Sequence, residues 1–150
     1  MAALLPQIQQ DNIPVFSMAP ITRDLRTNTS NPLVIWPDPT LEAGQIAEYV
    51  YGQGVKKVAI LGTQDSWENE VSEAFATKFV LLGGTVTTKE IVLPTASDVR
   101  LAVTKVLTTK PEAVFLGTYY KFFPFIKSLN EQGYKGKLYS IEIDTYLAEE

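Results

Sequence analysis

Residues able to do chemistry fall in three short groups: Asp65, Ser66 and Trp67; Tyr119 and Tyr120; Glu142 and Asp144. Each group follows an apolar run, the first ending at Gly62, the second at Gly117 and the third near Ile141. Between them they offer carboxylates, hydroxyls and aromatic faces. There is no histidine and no cysteine. Cysteine nucleophiles, Cys/His zinc sites and triads built on a histidine base are therefore excluded. Asp65, Tyr119 and Glu142 could be drafted as acid and base, but no cofactor loop supports an enzyme, and none is expected. What the residues suit is recognition, with aromatic walls and a carboxylate that takes a cation or a hydrogen-bond donor.

Each group also has a plainer role. Trp67 can pack on a neighbouring loop, and Tyr119 with Tyr120 can cover a sheet end. Asp65 has sufficient work as a helix cap. Glu142, flanked by Ile141 and Ile143, is hard to place in a core, and its plain alternative is a salt bridge to a helix lysine. Asp65, Glu142 and Asp144 as a hard-cation site would rest on one strand-end acid pair, which is weak evidence. The glycines of "YGQGVKK" precede a strand instead of following one, so they mark a helix end and not a dinucleotide loop. No metal and no cofactor are expected.

The elements that must position these groups are legible. "KKVAILG" (56–62) and "EAVFLGT" (112–118) are continuous apolar runs, as in strands buried on both faces. "TVTTKEIVL" (85–93) and "KLYSIEI" (137–143) alternate more and belong nearer an edge. "IPVFS" (13–17) and "PLVIW" (32–36) are two further β-rich runs. Helical patterns lie between. One starts at a Thr40 cap and carries Leu41, Ile46, Ala47 and Val50. The next opens on Asp65 and Glu68, at the spacing of a capping box, buries Val71, Phe75, Phe79 and Leu82, and stops at Gly83-Gly84. A third starts at Ser97, with Val99, Val103, Val106 and Leu107 inward, and a last covers roughly 122–132. At the N-terminus Leu4, Leu5 and Ile8 share one face of a short helix, with Pro6 near its start. From residue 40 helix and strand alternate, which predicts an α/β lobe with a mostly parallel sheet between helical layers. Parallel strands bring the three groups to one rim, where α/β folds gather ligands.

The totals agree. The 150 residues suffice for one domain with a core, 45% hydrophobic and 20% charged, with a net charge of −4. No basic stripe tracks a phosphate backbone, so nucleic acid is not an expected partner. No apolar stretch nears the ~20 residues needed to span a bilayer.

With these residues placed, the chain resembles a type I periplasmic binding protein of the branched-chain amino acid binding family of ABC transporters. "IPVFSMAPITRDL" resembles the segment closing the first lobe, and "NPLVIWPDPTLEAGQIAEYV" the crossing into the second. "VKKVAILGTQDSWENEVSEAF" matches a strand, ligand-facing loop and helix; "PTASDVRLAVTKVLTTKPEAVFLGTYY" and "GYKGKLYSIEID" match the runs after it. The resemblance implies a ligand site at Ser17, Ala19, Trp67, Tyr119 and Glu142. Ser17 and Ala19 would present donors to a ligand carboxylate, although Ile21 stands where amino-acid binders often have threonine. Trp67 and Tyr119 would sandwich the ligand, and Glu142 would receive its ammonium group. It also implies closure of two lobes, an ABC permease as membrane partner, and a periplasmic or extracellular location.

Family members are roughly twice this length or more. The expectation is thus a fragment: residues 1–31 a remnant of the first lobe, 32–39 the crossing, and 40–150 a truncated, incomplete second lobe. Its exposed edges and apolar surface should favour self-association, and a clean monomer at high concentration in light scattering would count against that. An amino acid or similar small polar ligand is the first expectation. The alternatives are an aromatic or other carboxylate, and a sensory effector-binding domain of the same fold.

Overall fold

The computed structural model describes residues 5–18 and 32–141. At the N-terminal side, α1 (Leu5–Gln10) precedes a two-stranded ribbon in which β1 (Val15–Ser17) pairs in parallel with β2 (Pro32–Val34), Val15 opposite Pro32. Both strands are shorter than the apolar runs that predict them. Phe16, Met18, Leu33 and Ile35 of this ribbon are exposed, whereas Ser17 is buried.

The remaining elements are α2 (Pro39–Gly52), β3 (Lys57–Thr63), α3 (Ser66–Leu81), β4 (Thr85–Val92), α4 (Arg100–Thr108), β5 (Ala113–Gly117), α5 (Phe122–Glu131) and β6 (Lys137–Ser140). Acids set two of the helix starts. Asp38, not Thr40, caps α2: its carboxylate accepts the Thr40 N–H at 2.8 Å and the Thr40 hydroxyl at 2.6 Å, with Pro39 in the first turn where its missing N–H costs nothing. Asp65 caps α3 as expected, accepting from Trp67 N–H at 2.9 Å and Glu68 N–H at 3.2 Å. The Ser97 start is corrected to Arg100, three residues on; the Asp98 carboxylate accepts the Arg100 N–H there. At the end of α3, Gly83 takes φ +94°, and its N–H and that of Gly84 return to the Val80 and Phe79 carbonyls.

The four longer strands form one parallel sheet in the order β4-β3-β5-β6. The alternating runs occupy its two edges and the continuous runs its centre. The pleat divides the side chains between two cores. Val58, Ile60, Ala113 and Phe115 meet α2 and α3 through Ala43, Ala47, Val50, Val71, Phe75 and Phe79. Ala59, Leu61, Val114 and Leu116 meet α4 and α5 through Val99, Val103, Val106, Phe125 and Leu129. Phe75 lies parallel to Phe115 with ring centroids 3.9 Å apart, fixing α3 over β5. The result is a three-layer α/β/α arrangement. The chain leaves β3 for α3 on one face and β5 for α5 on the other. Adjacent strands whose helices depart to opposite faces open a crevice at their carboxyl ends.

Candidate functional site

The crevice begins where β3 and β5 end side by side, Gly62 opposite Gly117. Glycine is required by a close approach here. A Cβ on Gly117 would lie 2.3 Å from Ser72 Oγ, and one on Gly62 3.2 Å from the same atom. Helix α3 is thereby drawn down onto the strand ends. One residue further on, Thr63 and Thr118 are both buried, with their hydroxyl oxygens 3.2 Å apart across the crevice. The Thr118 hydroxyl also accepts the Lys121 N–H at 3.1 Å, starting the turn into α5.

Above this pair stands a residue that sequence reasoning placed only in a capping box. Glu68 does not reach back to Asp65, whose N–H goes to the Thr63 carbonyl at 2.9 Å. It crosses the crevice instead: Oε1 accepts the Tyr119 N–H at 2.7 Å and the Tyr120 N–H at 3.3 Å. Its side chain is 1% exposed, and Oε2 has no hydrogen-bond partner among the described residues. Ser72, one turn along α3, has a buried hydroxyl that is likewise unpartnered among the described residues. The signal that could have exposed Glu68 is its place between Trp67 and Val71, two residues of the buried face.

Burial pushes the Glu68 carboxyl above its ordinary 4.5; the Tyr119 and Tyr120 amides and the Thr118 hydroxyl oppose the shift, and the neighbouring negative charge of Asp65 adds to it. The folded chain therefore holds this proton more tightly than the unfolded chain. Stability from this group is present below about 4.5 and falls as pH rises through the folded-state value. Denaturant melts across pH 4–8 should show that decline in the native chain and a flatter profile in Glu68→Gln. An identical slope in both would remove Glu68 as its source.

The expected site residues are distributed as follows. Tyr119 is on the rim, 48% exposed, with its ring edge-on to Tyr120 at 6.0 Å. Trp67 is on the same rim by position, but it is 9% exposed and packs in the core with Val71, Phe75 and Phe79; its indole N–H is buried without a partner among the described residues. Most of the side chain is thus committed to packing. Ser17 is carried by β1 of the separate ribbon, not by the sheet rim. Ala19, Ile21, Glu142 and Asp144 lie outside the described residues. β6, which ends at Ser140, points its carboxyl end to the same rim as β5. Lys121 was not foreseen: its ammonium group donates to the Ala96 carbonyl at 2.7 Å, joining the loop after β4 to the loop after β5.

Among the described residues no three acidic side chains come together as metal ligands, and no helix is long and apolar enough to cross a membrane. An open groove of about 550 Å³ lies away from the crevice, lined by Asp98, Arg100, Lys127 and Glu131 among others. Its Arg100–Asp98 pair, at 2.6 Å, is solvated on both sides. The rim of the sheet combines the exposed aromatic surface of Tyr119 and Tyr120 with the crevice between two strand ends, which suits non-covalent capture of a small polar molecule.

The sequence model of the periplasmic binding protein family matches residues 1–148. No curated protein matches the chain. Among solved structures, an extracellular ligand-binding receptor from Rhodopseudomonas palustris HaA2 is 26% identical with a TM-score of 0.82, covering 92% of this chain and 39% of its own. A protein from Rhodospirillum rubrum, named for branched-chain amino acid ABC transport, is 21% identical at a TM-score of 0.79, covering 95% and 42%. An ABC transporter solute-binding protein from Rhodopseudomonas palustris HaA2, in complex with p-hydroxybenzoic acid, is 19% identical at a TM-score of 0.84, covering 92% and 39%. The chain thus spans about two fifths of the length of the structures it matches.

Proposed function

The chain belongs to the periplasmic binding protein family, and from that premise we propose that it is part of the substrate-binding component of an ABC transporter. Its work is non-catalytic capture of an amino acid or similar small polar ligand between two lobes, in the periplasm or outside the cell. Its partner in that role is the transporter's membrane permease. Residues 40–150 are read as the core of the second lobe, 32–39 as the crossing and 1–31 as a piece of the first. The observation that carries this reading is the crevice at the carboxyl ends of β3 and β5, with Tyr119 exposed on its rim. Tyr119 supplies the open aromatic wall, and Trp67 an inner wall backed by the core. Glu142 receives the ligand's ammonium group, while Ser17 and Ala19 serve its carboxylate from the other lobe.

A second reading, an aromatic carboxylate ligand, has support in the Tyr119–Tyr120 edge-to-face pair and in the structurally similar protein that holds p-hydroxybenzoic acid. Glu142→Gln separates the two. A charge-assisted hydrogen bond is worth roughly 1.5–3 kcal/mol, so the substitution should weaken an amine ligand roughly 10- to 150-fold in calorimetric titration. An aromatic carboxylate should bind Glu142→Gln as well as or better than the native chain. Unchanged affinity for an amine ligand would remove Glu142 from the site.

A further inference from the structure

Two consecutive backbone amides, Tyr119 N–H and Tyr120 N–H, project at the turn from β5 into α5, just ahead of Lys121, the N-cap residue of that helix. Paired amides at a strand-to-helix turn are a ready-made seat for a carboxylate or other anion. Here the seat is already filled. Glu68, from the first turn of a different helix, lays one oxygen on both amides, is 1% exposed, and keeps its second oxygen buried and unpartnered among the described residues.

We propose that Glu68 is a built-in surrogate for an anion: it occupies the amide pair behind Tyr119 and thereby sets which end of a ligand this rim accepts. With the amides taken by a buried carboxyl group, an incoming carboxylate finds neither N–H free to receive it. The end of a ligand that approaches Tyr119 is then a hydrogen-bond donor, an ammonium or a hydroxyl, and an acidic end must be held elsewhere. The same bonds tie the loop after β5 to the first turn of α3, so the two ligand-facing loops move as one piece. Glu68 is a positioning and selecting residue, acting through the amides it holds. The consequence for ligand choice rests on the function proposed above; the occupancy of the amides does not.

The test is replacement of the surrogate by a free anion. In Glu68→Ala the amides lose their acceptor and a space opens that fits a short carboxylate. Thermal unfolding of the full chain is followed with sodium propionate at about ten times its dissociation constant, against sodium chloride of equal ionic strength. Glu68→Ala should gain roughly 3–6 °C from propionate, while the native chain should gain nothing. Glu68→Gln, whose amide oxygen still accepts both N–H groups, should melt near the native temperature and also ignore propionate. Glu68→Gln as damaged as Glu68→Ala would overturn the proposal. So would a Glu68→Ala chain that is indifferent to propionate, or that shows no cooperative melt at any propionate concentration while Glu68→Gln melts normally. If propionate rescues Glu68→Ala but neither pooled amino acids nor 4-hydroxybenzoate bind the native chain, the surrogate stands and the ligand reading falls.

Discussion

Glu68→Ala should lower the stability of the chain by about 1–2 kcal/mol in urea unfolding, because two backbone donors at the exposed Tyr119 and Tyr120 lose their acceptor together and each such bond is worth a net of about 0.5–1.5 kcal/mol where water can take its place. Relief of the burial cost of the carboxyl group offsets part of this, which keeps the figure below the sum of the extremes. The loss should be local as well as global. The loop at Tyr119 and Tyr120 is joined to α3 through Glu68, so hydrogen exchange at both amides should accelerate beyond the change in overall stability. A stable Glu68→Ala chain with unchanged exchange at those amides would show that the loop is held by other contacts.

Gly117→Ala should cost about 2–3 kcal/mol, by overpacking instead of by a lost bond. The new methyl group would sit 2.3 Å from Ser72 Oγ and 3.3 Å from Phe115 Cε1, in a place where α3 is pinned by the Phe75–Phe115 stack and cannot easily lift. By far the worst contact is with a single hydroxyl. Ser72→Ala leaves only its own Cβ, 3.5 Å from the new group, an ordinary contact. The double variant should therefore recover most of the loss. Ser72→Ala alone should be neutral or slightly stabilising, since it removes a buried hydroxyl with no partner among the described residues. If Ser72→Ala does not rescue Gly117→Ala, the close approach of helix to strand is not what fixes glycine there. Whatever small shift of α3 the methyl group forces reaches the rim as well, because Glu68 on that helix holds the Tyr119 and Tyr120 amides.

Much of this was legible in the residues. Continuous apolar runs at 56–62 and 112–118 marked the central strands, because a parallel sheet covered on both faces selects against polar side chains on either. The alternation at 85–93 and 137–143 marked the edges for the complementary reason. Phe75 and Phe79, four apart, marked the buried stripe of α3. Helix starts were less secure, since Asp38 and Thr40 both suit a cap and only the backbone geometry decides between them. The candidate site was legible as a rim of the sheet and not as a set of contacts. Parallel strands place Asp65, Trp67 and Tyr119 at one end whatever the side chains then do. Trp67 shows the difference: a tryptophan in a first turn reads as a wall, yet its ring is spent mostly on the core. Glu68 shows the converse. Glutamate three residues after a capping aspartate has a sufficient local explanation, and its partners lie 51 and 52 residues away across the crevice, a pairing that no local spacing encodes.

The most direct test of the central claim, that the carboxyl ends of β3 and β5 form a ligand site, is an amide-resolved NMR titration of the chain. The ligands are pooled amino acids and, separately, 4-hydroxybenzoate, each raised to millimolar concentration. The expected result is saturable perturbation centred on residues 63–68 and 118–121, with little change around the open groove of Asp98, Arg100 and Lys127. Perturbation centred on that groove, or none at the rim while the chain remains folded, would contradict it.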